Sequence, residues 1–393
     1  MNWKQVLKSY DYPLAIATIA LGIFGIVMIY AAIHADAIPL SVTVDHYSLW
    51  VRQRLFIISG VVLMLGFSLI DYHFITRRYW WLYGAMIFLL IVVRLAGADD
   101  ATGTARWLWI PVPGGNWLSM QPSEFSKIIM ILFLAKFLDI HRERFNRPLW
   151  LGLVLLSIGL PVVLVVLQPS LSAGMVILSI SLVVLFVGGL YYRTILVGIA
   201  MLAPVGVMLA VDMRRDEPII LSRLLGDFQW RRIETFLNPD YASADAILQT
   251  QGSLFAIGTG GLTGRGFMNN PYVILGHNDF VFSVAANQFG FVGSVILLAV
   301  IGFIIVRCIH IALKAVDMQG RLIAAGVAGM LIVETFFHVG VATDLLPNTG
   351  MPFPFVSYGG SMIWVHMIAM GLVLNVKLPR IPKSIFAEEG EPL

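Results

Sequence analysis

Apolar residues run along this chain in long unbroken blocks, without the alternation of a half-buried strand or the one-faced period of a soluble helix. Blocks of bilayer-spanning length recur near residues 13–33, 55–70, 79–96, 124–139, 150–167, 173–190, 194–211, 281–306, 322–341 and 360–376. A span needs roughly 20 apolar residues, and only closed helices or barrels satisfy the backbone inside lipid. The pattern predicts an all-α integral membrane protein of about ten transmembrane helices, one polytopic domain over residues 1–393. The first block follows Lys4 and Lys8 and precedes Ala35-Asp36-Ala37, which has the look of a secretory cleavage site. From Pro13 to Ile33 it is 21 residues long, too long for a secretory core, so it is expected to remain as the first helix.

The residues between the blocks set the orientation, because short cytoplasmic loops retain Lys and Arg. Alternate connections hold Lys4 and Lys8, Arg77 and Arg78, Arg142, Arg144 and Arg147, Arg193, then Arg307, Lys314 and Arg321, and finally Lys377, Arg380 and Lys383. The opposite short loops, 168–172 and 342–359, hold none. Both termini are therefore expected in the cytoplasm, with a cytoplasmic tail over 377–393 that is acidic and disordered after Lys383. A large extracytoplasmic loop, 212–280, joins helices 7 and 8. Its six arginines do not count against this orientation, since long loops escape the rule. Within it, Ser222 to Leu237 has the pattern of an amphipathic helix, either lying on membrane lipids with its arginines at the phosphates or forming an ordinary surface helix.

Composition agrees with a membrane chain: 58% of residues are hydrophobic and 12% charged, about half the charged fraction of a globular domain. The net charge of +3 and the absence of a basic tract interleaved with aromatics give no nucleic-acid partner. Cys308 is the only cysteine, which excludes an internal disulfide; beside Arg307 at a helix end it reads as an inert thiol.

Against this background a few polar groups stand out, because a charge at membrane depth costs roughly 2.5–3.5 kcal/mol on insertion scales. Glu124 and Lys127 sit three apart at the outer start of the fourth helix, just after Gln121-Pro122, either as a structural ion pair or as a charged wall open to the outside. Asp279, where the long loop enters the eighth helix, reads either as a helix cap or as a carboxylate able to act as base or metal ligand. His277 beside it reads as a hydrogen-bonded loop residue. Gly258 to Gly266 is rich in glycine but lacks the Gly-Lys-Ser/Thr ending of a phosphate loop, which leaves close packing or a turn. Pro347 to Gly360, within 342–360, reads as a re-entrant outer loop. Glu334 and His338, four apart in the ninth block, read as a hydrogen-bonded pair.

Taken in order, these stretches resemble the SEDS family (shape, elongation, division and sporulation), the RodA/FtsW-like peptidoglycan polymerases. The resemblance covers nearly the whole chain. It rests on Arg106-Trp107, Gln121-Pro-Ser-Glu-Phe-Ser-Lys127, Gln168-Pro169, Arg232-Ile233 with Phe236-Leu-Asn-Pro239, and Ala256-Ile-Gly-Thr-Gly-Gly261. Further along it rests on His277-Asn-Asp-Phe280 with Phe289-Gly-Phe-Val-Gly293, and on Leu345-Leu-Pro followed by Pro354-Phe-Val-Ser-Tyr-Gly-Gly-Ser361.

The resemblance implies a glycosyltransferase of the bacterial cytoplasmic membrane, its site facing outward, that joins lipid II units into β-1,4 glycan strands for elongation, division or sporulation. Asp279 falls on the family's essential loop aspartate and would take the proton of the acceptor hydroxyl. Arg106, Lys127 and Arg52 would meet the departing pyrophosphate, with Glu124 orienting Lys127. Gln121, Ser357 and Ser361 would border the cavity. A divalent cation, Mg²⁺ or Mn²⁺, is expected at Asp279 and Glu124, and a class B penicillin-binding protein is the expected partner.

The chain departs from the family pattern at Ser170 and Asn278, at Asn287 and Gln288, where two acidic residues are usual, and at Leu248, near a common tyrosine. Two rival readings stand beside the polymerase: a flippase for lipid-linked oligosaccharide, and a catalytically silent scaffold.

Overall fold

The computed structural model describes residues 8–34, 46–99, 105–112, 116–213, 215, 227–237, 244–269 and 273–378. Helices occupy all ten apolar blocks: α1 (Tyr12–Ile33), α2 (His46–Leu69), α3 (Tyr79–Ala96), α4 (Pro122–Ile140), α5 (Pro148–Val166), α6 (Leu171–Val187), α7 (Tyr192–Asp212) and, after the long loop, α10 (Val281–Lys314), α11 (Met318–Ala342) and α12 (Gly360–Lys377). Seven of them, α1, α2, α3, α5, α10, α11 and α12, are long and apolar enough to cross a bilayer. The molecule is thus a mostly helical, multi-pass membrane protein.

Burial sorts these helices into a centre and a ring. The apolar part of α12 is 78% buried and that of α11 61%, against 17% for α3. Apolar side chains on the ring, such as Trp81 and Leu95 on α3, face outward, as lipid-facing residues do. Small residues let the central helices approach: Gly326 and Gly329 of α11 lie against Ile131, Val184 and Val183.

One end of the bundle is fastened by charge. Asp11 caps α1 by accepting the Leu14 N–H, and its other oxygen takes hydrogen bonds from Arg307 of α10 at 2.5 Å and Lys377 of α12 at 3.0 Å. The thiol of Cys308 next to Arg307 is fully buried in α10, in line with an inert role.

Three features correct the sequence expectations. The chain is not wholly helical, because β1 (Ala98–Asp99), β2 (Ala105–Val112) and β3 (Asn116–Met120) form an antiparallel sheet between α3 and α4. Its aromatic and branched residues, Trp107, Trp109, Ile110 and Trp117, flank Gly114-Gly115, a composition that favours a hairpin over a helix. The long loop holds α8 (Asp227–Leu237), within the stretch expected to be an amphipathic helix, and beyond it a helix that was not expected, α9 (Ala244–Gly260). Glu334 and His338 do not bond each other: Glu334 bonds Lys127 and His366, while His338 Nδ1 donates to the Met351 carbonyl.

The start of the predicted amphipathic helix at Ser222, the motif Ala35-Asp36-Ala37, Asn238-Pro239 and the tail after Lys383 lie outside the described residues.

The glycine-rich stretch repairs a broken helix. At Gly290 α10 leaves helical geometry (φ 66°, ψ −165°), which frees backbone groups on both sides of the break. The N–H groups of Arg265 and Gly266 donate to the carbonyls of Asn287 and Gln288, while those of Phe291 and Val292 donate to Gly261 and Leu262. A buried break needs such partners, and close packing rather than phosphate binding is what these glycines serve.

Candidate active site

The end of the bundle away from Asp11 holds a cavity of about 340 Å³, within the usual range for a small-molecule site. The sheet, the starts of α4, α6 and α12, helix α8, and two clasped loops, 273–280 and 343–359, converge on it.

The loops hold each other by backbone. Tyr358 N–H donates to the His277 carbonyl at 2.9 Å, and the Ser357 hydroxyl donates to the Asn278 carbonyl at 2.7 Å while accepting from Phe353 N–H. Gln53 of α2 anchors the second loop by donating to the Ser357 carbonyl and accepting from Gly359 N–H. Met351, Phe353, Phe355 and Val356 bury this irregular backbone inside protein, where its polar groups find partners.

Asp279 projects into the cavity from the first loop and is 7% exposed. It does not cap α10: the capping position is Phe280, with no side-chain hydrogen bond. Burial raises its carboxyl above the usual aspartate range, and the charges of Arg232 and Arg106 pull it back down. Arg106 comes from the sheet and Arg232 from α8.

Opposite stand Glu124 and Lys127 on the first turns of α4, with Lys127 Nζ 2.7 Å from Glu124 Oε1. Both line the cavity, so the ion pair and the charged wall are one structure. Glu124 Oε2 is buried and has no hydrogen-bond partner among the described residues, leaving one acceptor at the cavity wall. Gln121 and Ser361 also line the cavity, and Gln121 N–H donates to the Ser361 hydroxyl at 3.0 Å, tying α4 to α12.

Two of the residues expected here are elsewhere. Ser357 is fully buried with its hydroxyl committed to the loops, so it fastens the site rather than lining it. Arg52 is exposed on α2 and reaches the cavity only through its hydrogen bond to Tyr358, which does line it.

Arg232, in turn, was expected on an amphipathic helix, either at membrane lipids or on an ordinary solvated surface, and not in the cavity. The signal that could have found it is Gln229, one turn earlier on the same face; that side chain is buried and donates to the Val166 carbonyl, so this face of α8 turns into the protein.

The donor set is a poor match to a resident divalent cation at Asp279 and Glu124. No cluster of three His, Cys, Asp or Glu occurs among the described residues. Arg106 and Arg232 already act on Asp279, and Lys127 on Glu124, so a hard cation there would meet positive charge on each side. The protein's own guanidinium and ammonium groups, Arg106, Arg232 and Lys127, already supply positive charge to the site.

Comparison with known proteins bears on the whole chain. The family model for FtsW, RodA and SpoVE, described as cell cycle protein, matches residues 12–380. A probable peptidoglycan glycosyltransferase FtsW of Geobacter metallireducens is 31% identical over 96% of this chain and 97% of its own length. Stage V sporulation protein E of Bacillus subtilis is 32% identical over 94% of this chain and 97% of its own. A solved chain from a peptidoglycan synthase complex, described as coordinating polymerization and crosslinking, matches with a TM-score of 0.74 at 31% identity, covering 94% of this chain and 97% of that one. The chain belongs to the FtsW/RodA/SpoVE family of cell cycle proteins, the family its motifs indicated.

Proposed function

We propose that the protein is a peptidoglycan glycosyltransferase that polymerises lipid II into glycan strands at the outer face of a bacterial cytoplasmic membrane. The observation that carries this is the buried Asp279 carboxylate facing Arg106, Arg232 and Lys127 in one cavity at the rim of an apolar helical bundle. Ten spans with both termini cytoplasmic fit the ten helices and the basic loops, and they set this cavity outward.

Asp279 accepts the proton of the acceptor's GlcNAc 4-hydroxyl as that oxygen attacks the anomeric carbon of the donor's MurNAc. The bond from that carbon to the pyrophosphate breaks, a β-1,4 bond forms with inversion, and the charge gathering on the leaving pyrophosphate is met by Arg106, Arg232 and Lys127. The donor's polyprenyl tail stays among the apolar helices. Glu124 orients Lys127 and keeps one oxygen for the sugar or peptide of the substrate, while Gln121 and Ser361 border the same space. The structural relative is a chain of a peptidoglycan synthase complex that coordinates polymerization and crosslinking, which supports a crosslinking partner here, a class B penicillin-binding protein.

The test is glycan polymerisation from purified lipid II by the solubilised protein, with and without that partner, comparing wild type with Asp279→Ala. Product from wild type and none from the variant supports the reading. Equal product from both removes Asp279 from the reaction, and no product under either condition favours a flippase or a scaffold.

A further inference from the structure

Beneath the cavity, a line of protonatable side chains runs into the bundle where apolar residues would be expected. Lys127 Nζ lies 2.7 Å from Glu124 on its own helix and 2.7 Å from Glu334 Oε1 on α11. Glu334 Oε2 is 2.6 Å from His366 Nε2 on α12, and His366 Nδ1 is 2.7 Å from the Met362 carbonyl. Lys127, Glu334 and His366 are all fully buried.

Counting protons along this line fixes its charge. A carbonyl only accepts, so His366 Nδ1 carries hydrogen. A second proton must then lie between Nε2 and Glu334 Oε2, on the ring or on the carboxyl. In either form the Glu334–His366 pair is neutral, Lys127 and Glu124 cancel, and the four groups sum to zero. Without that proton the sum is −1, among buried side chains, where an uncompensated charge is costly.

Of the other charges lining the cavity, Arg106 and Arg232 act on Asp279, and among the described residues no charged side chain besides Lys127 pairs with Glu334 or His366. His338, one turn along α11, is tied to Met351 and to Phe282 N–H. Helix α6 and the first half of α10 carry no charged residue. The charges of the remaining neighbours stand toward their ends: Arg52 and Arg54 on α2, Lys136 and Asp139 on α4, Asp245 on α9, Arg307 and Lys314 on α10, Arg321 on α11, Lys377 on α12, Asp11 before α1 and His73 beside Tyr72.

We propose that Glu334 and His366 are positioning residues for Lys127, and that the proton they share keeps this wall of the cavity from presenting net negative charge to an anionic headgroup. This rests on the polymerase reading, in which that headgroup is the pyrophosphate of lipid II.

The experiment is direct binding of labelled lipid II to the full-length solubilised protein, from neutral to alkaline pH, run beside the polymerisation assay. His366→Ala leaves Glu334 Oε2 without its partner while Oε1 still holds Lys127, so the four-group line loses its shared proton; it should weaken binding and raise KM about tenfold or more, the scale of one uncompensated buried group, with little change in kcat. Glu334→Gln keeps a carbonyl toward Lys127 and removes the titration, so it should bind as wild type does at neutral pH and lose the alkaline fall in binding. Combining the two should bring affinity back to within about twofold of Glu334→Gln alone.

Unchanged affinity and KM in His366→Ala, a double variant as weak as His366→Ala, or an alkaline fall that persists in Glu334→Gln would each overturn the proposal. Thermal unfolding checks each variant, and if His366→Ala does not fold, the pH profile of Glu334→Gln decides. Wild type that binds but does not polymerise refutes the polymerase reading, while the binding series still decides the positioning.

Discussion

Asp279 and Arg232 face each other across the Cα of Gly350. A Cβ at that glycine would stand 3.0 Å from Arg232 Nη1 and 3.5 Å from Asp279 Oδ2. The backbone there has φ 66°, a region glycine enters freely and other residues enter at a cost. Gly350→Ala therefore adds strain and pushes a methyl against the guanidinium. It is expected to lower kcat/KM at least tenfold while costing about 1–2 kcal/mol of stability. Polymerisation kinetics and thermal melting check it, and full activity in the variant would show that this close approach is not used.

The charges around Asp279 predict a pH profile. The base must be ionised to take a proton, so kcat/KM rises with pH through the Asp279 ionisation. Burial places that rise above the ordinary aspartate value of about 3.9, and Arg232 and Arg106 hold it lower than burial alone would. Removing either cation lifts the carboxyl further, so Arg232→Ala and Arg106→Ala should shift the acid limb to higher pH. The measurement is kcat/KM against pH; a limb that stays fixed or moves down excludes Asp279 as the base.

The break in α10 predicts a folding defect remote from the cavity. A Cβ at Gly264 would lie 2.0 Å from the Gln288 carbonyl oxygen, and Gly264 has φ 84°. Gly264→Ala must separate the loop from the break and leave backbone groups unpaired. A loss of about 2–3 kcal/mol is expected, visible as a lower melting temperature in detergent. A melt equal to wild type would show that the loop does not brace the helix.

How much of this was legible in the sequence follows from what kind of contact each residue makes. Continuous apolar runs announced a mostly helical, multi-pass chain, because in lipid the apolar length of a segment is itself the constraint. The Glu124–Lys127 pair was legible because its partners sit three apart on one helix. Glu334 misled for the same reason. His338 stands at the right spacing on the same helix, but the true partners, Lys127 and His366, come from α4 and α12, and periodicity names a face without naming what covers it. Arg232 was hidden by its neighbour Arg231, which is exposed as a surface helix would have it. Helix α9 was not foreseen because its apolar stretch is shorter than a span and lies inside the long loop; in the fold Asn287 of α10 donates to Ala256 and Thr259 on it.

At the far end of α10 and α12 from the cavity, the Asp11 cluster predicts stability without a catalytic role. Asp11 is 1% exposed, and although burial acts to raise its carboxyl, hydrogen bonds from Lys377, Arg307 and the Leu14 N–H hold it below the usual value. A depressed folded-state value means that the stabilisation is present above the unfolded aspartate value of about 3.9 and is lost as pH falls through the folded one. Arg307 and Lys377 are 28% and 35% exposed, so solvent screens part of the attraction. Asp11→Ala removes the cap and both ion pairs and should cost about 1–3 kcal/mol at neutral pH, with kcat/KM near that of wild type. The difference should shrink in acid, where the wild-type carboxyl is protonated as well. Thermal unfolding of both proteins at neutral and acid pH measures this. Equal melting at neutral pH would mean that the three helices are held by apolar packing alone.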